Sequence, residues 1–375
     1  MKRFAVILGG ASVLALAAAA NVAADTEDFP PLQTLGPPPI PADNPMSEEI
    51  VELGEMLFWD GRLSGNGTMP CSACHLPDVG WGNGTPISFG YSGNQHWRNS
   101  QTILNSAYYT RLFWDGSQTS LEAQARAAAG GAVGGNGDGS MMEMRLRFVP
   151  DYVERFNDVF GTDYPRVSQA WNAIAAFQRT VVTDAEQVPF DRYLAGDEGA
   201  MSDSALRGME LFNGEAGCIA CHNGALGSNQ QFYNTGVPTP PEFNEFPEFQ
   251  LVMLWETYAK GASEELYRTV TDDMGLYHVT KRPGDIGSFR TPSVRELVWT
   301  APYMHNGVFA TLEDVVAFYN AGGGEDQTAG LEPLNLDDRQ MADLVAFLEA
   351  LSMDEPLLME PPEIPETATW AEFDQ

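Results

Sequence analysis

The chain has four cysteines, and all of them fall in two copies of one pattern. Cys71-Ser72-Ala73-Cys74-His75 and Cys218-Ile219-Ala220-Cys221-His222 both read C-x-x-C-H. Thiols at that spacing can add across the two vinyl groups of a haem, and the histidine that follows can ligate its iron. Two thioethers and one imidazole then come from a single turn of chain. A lone CxxC would also suit half a zinc site or a redox dithiol. Two copies, each followed by histidine and with no cysteine left over, point instead to two covalently bound haem c groups held by Cys71, Cys74, Cys218 and Cys221. His75 and His222 are then the proximal iron ligands.

The segments that must position these motifs also repeat. Gly54-x-x-Leu57-Phe58 is echoed by Gly208-x-x-Leu211-Phe212, and each precedes a CxxCH. An internal repeat of this kind predicts two haem domains of one type. Ser47 reads as an N-cap with Glu48 and Glu49 in the first turn, and Ile50, Leu53 and Leu57 form an apolar stripe. Leu63 to Pro70 is a Gly/Asn-rich loop leading to Cys71. Val167, Trp171, Ile174, Phe177 and Val181 recur at helical spacing and read as core, Trp171 included. Leu336 to Leu351 reads as an amphipathic helix with Leu344, Val345, Leu348 and Leu351 on one face. Strand signals are weak, so the expected fold is mainly α: two cytochrome-c-like domains whose haems face a shared interface. Gly130 to Gly139 lacks the Lys-Ser/Thr ending of a phosphate loop, so nucleotide binding is not indicated.

Residues 1–24 resemble a secretory signal, with Lys2 and Arg3 before an apolar run and Val22-Ala23-Ala24 as a small-residue cleavage site. A periplasmic address follows, with no membrane span once the signal is removed; c-type haem is attached outside the cytoplasm. The expected layout continues as a proline-rich lead-in over 25–45, a first haem domain over 46–190, a second over 191–353 and an acidic tail over 354–375. The lead-in is expected to stay outside the core, and the tail to lie extended on the surface or disordered. Against 52 acidic side chains stand 20 basic ones, for a net charge of −32. That field repels nucleic acid and anionic lipid, and would attract a basic protein partner.

Further motifs carry a resemblance to the bacterial di-haem cytochrome c peroxidase family, which includes MauG. They are Leu63-Ser64-Gly65-Asn66-Gly67, Arg98-Asn99, Leu104-Asn105, Phe113-Trp114-Asp115-Gly116 and Leu121-Glu122-Ala123-Gln124. Phe289-Arg290-Thr291-Pro292 and Thr300-Ala301-Pro302-Tyr303-Met304-His305-Asn306-Gly307 follow in the same order, so the likeness spans about Leu53 to Leu351. The resemblance implies that the first haem meets hydrogen peroxide and the second transfers electrons. It implies an inter-haem relay at Trp114, distal-pocket assistance from Gln124, and a distal acid at Glu143 that moves a proton between peroxide oxygens. It also implies a calcium ion between the haems, held by Asn99 and the carbonyls of Thr300 and Pro302.

Two departures bear on mechanism. Where relatives with a closed first haem carry a distal histidine, this chain has Tyr91, so the first iron is expected to be open to peroxide; the alternative is that the nearby His96 is brought over it and closes it. On the second haem, the distal position falls on Tyr319, as in MauG, rather than on the methionine common among the peroxidases. Tyr303 and Met304 rank below it, and His278 and His305 read as structural histidines. Phenolate is a hard anionic donor that favours oxidised iron. The expected function is therefore a periplasmic peroxidase that stores oxidising equivalents and oxidises aromatic residues of a partner protein. One alternative is reduction of peroxide with electrons from a small cytochrome or cupredoxin. Another, not enzymatic, is a di-haem electron carrier.

Overall fold

A computed structural model describes residues 29–369, so the expected signal sequence and the last six residues lie outside the description. Helix α1 (Glu48–Trp59) begins where Ser47 Oγ accepts from the Ile50 amide at 3.3 Å. It is followed by α2 (Leu121–Gly130), α3 (Gly139–Arg147), α4 (Pro150–Phe160) and α5 (Val167–Gln178). After α6 (Pro189–Leu194) and α7 (Asp203–Asn213) come α8 (Glu242–Glu245), α9 (Pro247–Ala259), α10 (Glu264–Thr269) and α11 (Tyr277–Thr280). The last helices are α12 (Leu312–Asn320) and α13 (Asp338–Glu349). Among the described residues the strands are β1 (Phe232–Tyr233) and β2 (Phe289–Arg290), antiparallel with Phe232 opposite Arg290. The mainly helical class expected from the sequence is the one observed.

Two helix crossings form the frame: α1 packs on α5, and α7 packs on α13. The repeated glycines mark their closest points. A Cβ on Gly54 would lie 1.9 Å from the Ala173 carbonyl oxygen, and one on Gly208 would lie 1.9 Å from that of Asp343. Without a side chain the backbones can approach to this distance, and the ridges on either side interlock. One turn on, Phe58 packs against Phe177 and Phe212 against Phe347, each pair with centroids 5.2 Å apart. The same helix pair is thus written twice in the chain.

The loops repeat too. Asn105 and Glu296 both adopt a left-handed backbone, as do Phe113 and Met304. Leu112 pairs with Gln118 across one loop, and Tyr303 with Phe309 across the other. The halves exchange equivalent main-chain bonds. Asn99 N donates to His305 O at 2.8 Å, and Arg290 N donates to Trp114 O at 2.9 Å. An approximate two-fold axis therefore runs between the units, with the Trp114 loop and the His305 loop as counterparts.

Several segments tie the halves together. Helix α6 straddles the expected division at 190/191 and packs with the second unit, Phe190 against Phe347 at 5.8 Å. Phe243, Phe249 and Met253, on α8 and α9, share a small core with Ile87 and Trp97 of the first unit. The lead-in is extended, yet the expectation that it stays outside the core needs correcting: Leu32 and Asn44 are buried. Asn44 Nδ2 donates to Glu122 Oε1 at 2.7 Å and to Asn172 O at 2.9 Å. The described part of the acidic tail is extended, and Leu357 and Met359 pack against the main core. No helix among the described residues is long and apolar enough to cross a membrane.

Candidate haem centres

Each CxxCH sits on a short helical turn behind its helix pair, Cys71–Ala73 and Cys218–Ala220. All four thiols are free, as haem attachment requires. Burial pushes Cys71 and Cys218 up to about 12, so both are neutral thiols. Burial likewise lowers His75 and His222, which keeps the imidazoles neutral and able to donate to iron. His75 Nδ1 lies 3.1 Å from Trp81 O, and His222 Nδ1 lies 3.2 Å from Gly227 O. A carbonyl can only accept, so each Nδ1 carries the proton and each Nε2 lone pair is left for a metal.

A cavity of about 180 Å³ opens beside His222 and Cys218. Phe212, Leu312, Val316, Leu344 and Leu348 line it with apolar surface, and Tyr319 and Trp114 also reach it. Arg290 lines it as well; its residue is buried and its Nε has no hydrogen-bond partner. An apolar slot with a histidine, a thiol and a guanidinium whose Nε has no partner fits a haem, whose propionates are anionic. Tyr319, on α12, borders the same cavity as His222, and burial pushes its phenol up to about 12. Met304 also borders the cavity, whereas the Tyr303 hydroxyl is engaged with Leu297 O at 2.8 Å.

Trp114 lies at the junction of the halves, buried and lining that cavity. Its Nε1 donates to Asn99 O at 3.0 Å, and its ring meets His305 edge-on at 6.5 Å. His305 stacks on Phe289 at 3.7 Å, and burial holds it at about 4, so it is neutral. Asn99, Thr300 and Pro302 all border the cavity. Asn99 Nδ2 donates to Thr85 O at 2.9 Å, which leaves Oδ1 free to face a cation.

On the first unit, Gln124 lies half-buried on α2. Glu143, on α3, is engaged: its carboxylate pairs with Arg147 at 2.6 Å and accepts from Val167 N at the start of α5 at 3.3 Å. The glycine-rich stretch is folded against the loop before the first motif. Gly65 N donates to Gly135 O at 2.7 Å and Tyr91 N donates to Gly134 O at 2.6 Å. The Tyr91 ring packs on Gly65. His96 stacks on Trp97 at 3.9 Å and accepts from Arg98 N at Nδ1, 3.1 Å. Burial and then the Arg98 charge push it down to about 3. Its proton is therefore on Nε2. His278 is buried beside Thr257, its Nε2 3.4 Å from Oγ1.

The sequence reading missed a buried charge network at the junction. Arg98 pairs with Asp273 at 2.5 Å and with Asp115 at 2.9 Å, and Lys260 reaches Asp115 at 3.1 Å. Arg98 and Asp115 sit in quoted motifs, but Asp273 and Lys260 belong to the least regular stretch and carried no spacing signal. A second omission is the pair related by the approximate axis. Thr183 Oγ1 donates to Glu296 Oε1 at 2.7 Å while Asn105 Nδ2 donates to Thr183 Oγ1 at 2.7 Å.

Two c-type haem sites in tandem, built on one repeated helix pair, define a di-haem cytochrome c. Residues 48–199 match the family model for di-haem cytochrome c peroxidase. Cytochrome-c peroxidase IdrP1 of Denitromonas iodatirespirans is 60% identical over 94% of this chain and 95% of its own. The methylamine utilization protein MauG of Methylorubrum extorquens is 34% identical over 87% of this chain and 84% of its own. A crystal structure of a MauG-like protein associated with microbial copper homeostasis superposes with TM-score 0.72 at 31% identity, covering 85% of this chain and 94% of that one. The chain belongs to the di-haem cytochrome c peroxidase family. It is an oxidoreductase acting on peroxide, and the family implies two haem c groups.

Proposed function

We propose that this peroxidase uses hydrogen peroxide in the periplasm to oxidise aromatic side chains of a partner protein, as a MauG-like enzyme. The observation that carries the reading is Tyr319 bordering the same cavity as His222. The haems, when bound, supply the cleavage of peroxide and hold the oxidising equivalents. What the chain supplies is placement. His75 and His222 present Nε2 to the metals because their Nδ1 protons are tied to carbonyls. Trp114, with its indole N–H fixed by Asn99 O, is the bridge between the halves. Gln124 orients peroxide at the first site. Glu143 is the proposed proton carrier there, and it must release Arg147 or the Val167 amide to act. Tyr91 packs on Gly65 and His96 is held by Trp97 and the Arg98 amide, so neither would hold the first metal. Asn99 Oδ1, with the carbonyls of Thr300 and Pro302, would hold calcium between the halves.

The test is absorption and EPR spectroscopy of the diferric protein before and after one equivalent of hydrogen peroxide. One high-spin and one low-spin signal, both lost on peroxide addition without prior reduction, supports the reading. Two low-spin signals that respond only after partial reduction would overturn it. A second reading, reduction of peroxide by a small cytochrome or cupredoxin, is favoured by the 60% identity to a protein named cytochrome-c peroxidase. Turnover with such a donor, and no oxidation of a protein substrate, would select it. The net charge of −32 would draw a basic partner in either case.

A further inference from the structure

The two proximal histidines are equivalents, but the carbonyls that hold them are not. His222 bonds to Gly227, which has no side chain to anchor it. His75 bonds to the carbonyl of Trp81, a residue with no exposed surface. The Trp81 ring packs edge-on against Trp59 at 5.8 Å and tilted on Phe58 and Phe177 at 6.1 Å each. Its Nε1 donates to Leu357 O at 2.9 Å. Leu357 belongs to the tail, which leaves the second unit after α13 and returns across the first. There the tail is anchored again: Arg62 Nη2 donates to Pro365 O at 2.8 Å, and Ala368 N donates to Phe148 O at 2.8 Å.

We propose that the tail over 354–369 is a working part of the first haem site, and that Trp81 is the positioning residue through which it acts. The proposal rests on His75 being that haem's ligand. The tail fixes the indole, the indole fixes the backbone at 81, and that carbonyl fixes the Nδ1 proton of His75. A firmly held acceptor at Nδ1 makes the imidazole a more basic ligand and favours ferric iron. The second site has no such tie, so the tail helps to make two equivalent motifs unequal.

Two holoprotein variants test this. Trp81→Phe keeps an aromatic ring and removes the bond to Leu357, and a chain ended after Asp354 removes the strap. Covalent loading at Cys71 and Cys74 is confirmed first by mass; failure of the wild-type protein to load there would sink the haem assignment rather than the strap. Each haem is then titrated by spectroelectrochemistry and its EPR signal recorded. Both variants should shift the first haem's reduction equilibrium at least about tenfold toward the ferrous state, ~59 mV for one electron. The second haem should not move, and combining the changes should add little. A first haem with wild-type potential and g-values in folded Trp81→Phe protein would overturn the proposal. So would equal shifts in both haems, which would indicate general loosening. If the shortened chain does not fold, Trp81→Phe decides alone.

Discussion

Replacing Gly208 by alanine would test the frame on which the second haem site is built. In an ordinary helix interior the change stabilises by about 1 kcal/mol, because glycine loses more backbone entropy. Here the new Cβ would sit 1.9 Å from the Asp343 carbonyl oxygen and 2.8 Å from the Phe347 Cβ. Carbon contacts settle near ~3.5 Å, so α7 and α13 must part by about 1.5 Å. Overpacking of this kind costs about 1–3 kcal/mol and occasionally more, which outweighs the propensity gain. The separation would also loosen Phe212 from Phe347, and Phe212, Leu344 and Leu348 line the cavity beside His222. The assay is thermal unfolding of the holoprotein, read by far-UV circular dichroism and by the Soret band. In a unit of this size each 1 kcal/mol moves the midpoint by roughly 2–4 °C, so a fall of several degrees is expected. Gly54→Ala should behave alike through Ala173. A midpoint at or above wild type for Gly208→Ala would refute the close crossing and the two-fold reasoning built on it.

Other substitutions address the junction and the chemistry. Asp273→Asn removes one of the two carboxylates paired with the buried Arg98 guanidinium, leaving Asp115, and should cost about 1.5–3 kcal/mol, measurable by chemical denaturation. Burial pushes Asp273 and Asp115 up, but the neighbouring Arg98 more than reverses this and holds both below the usual carboxylate range. Their contribution is therefore full above about pH 4 and lost as pH falls further; Asp273→Asn should flatten that acid limb. Trp114→Phe should break electronic communication between the haems, read as independent redox titrations; unchanged coupling would rule out the relay. Glu143→Gln should slow the reaction with peroxide by about 10²-fold or more if the carboxylate carries the proton. An unchanged rate with lowered stability would leave it as the clamp between α3 and α5. Chelation of calcium should perturb inter-haem coupling, and an inert response would count against Asn99 as a ligand.

The sequence by itself carried both CxxCH motifs, the expected haem attachment points. The chemistry of thioether formation and iron ligation demands fixed residue types within one turn, and such local demands are legible in a string. It also carried the repeated helix before each motif, with Gly54 and Gly208 at the same distance from a phenylalanine; that these helices cross α5 and α13 at those glycines came only from the packed chain. Trp114 and Asn99 stood out only through motif resemblance, which did not show why their backbones matter. That reason is reciprocal: Asn99 bonds to the His305 loop as Arg290 bonds to the Trp114 loop. Only the tertiary structure joined Arg98 to Asp273 and Lys260, since ion pairs between distant segments leave no periodic trace. Only it brought the lead-in onto the second unit, where Arg295 Nη2 reaches Gln33 O at 2.5 Å, and the tail onto the first. In the sequence both ends read as proline-rich polar chain, and nothing local distinguishes a solvated strap from one clamped beside a haem ligand. The difference lies in which buried donors, the Trp81 indole among them, bond to the strap; that is a property of the packed molecule.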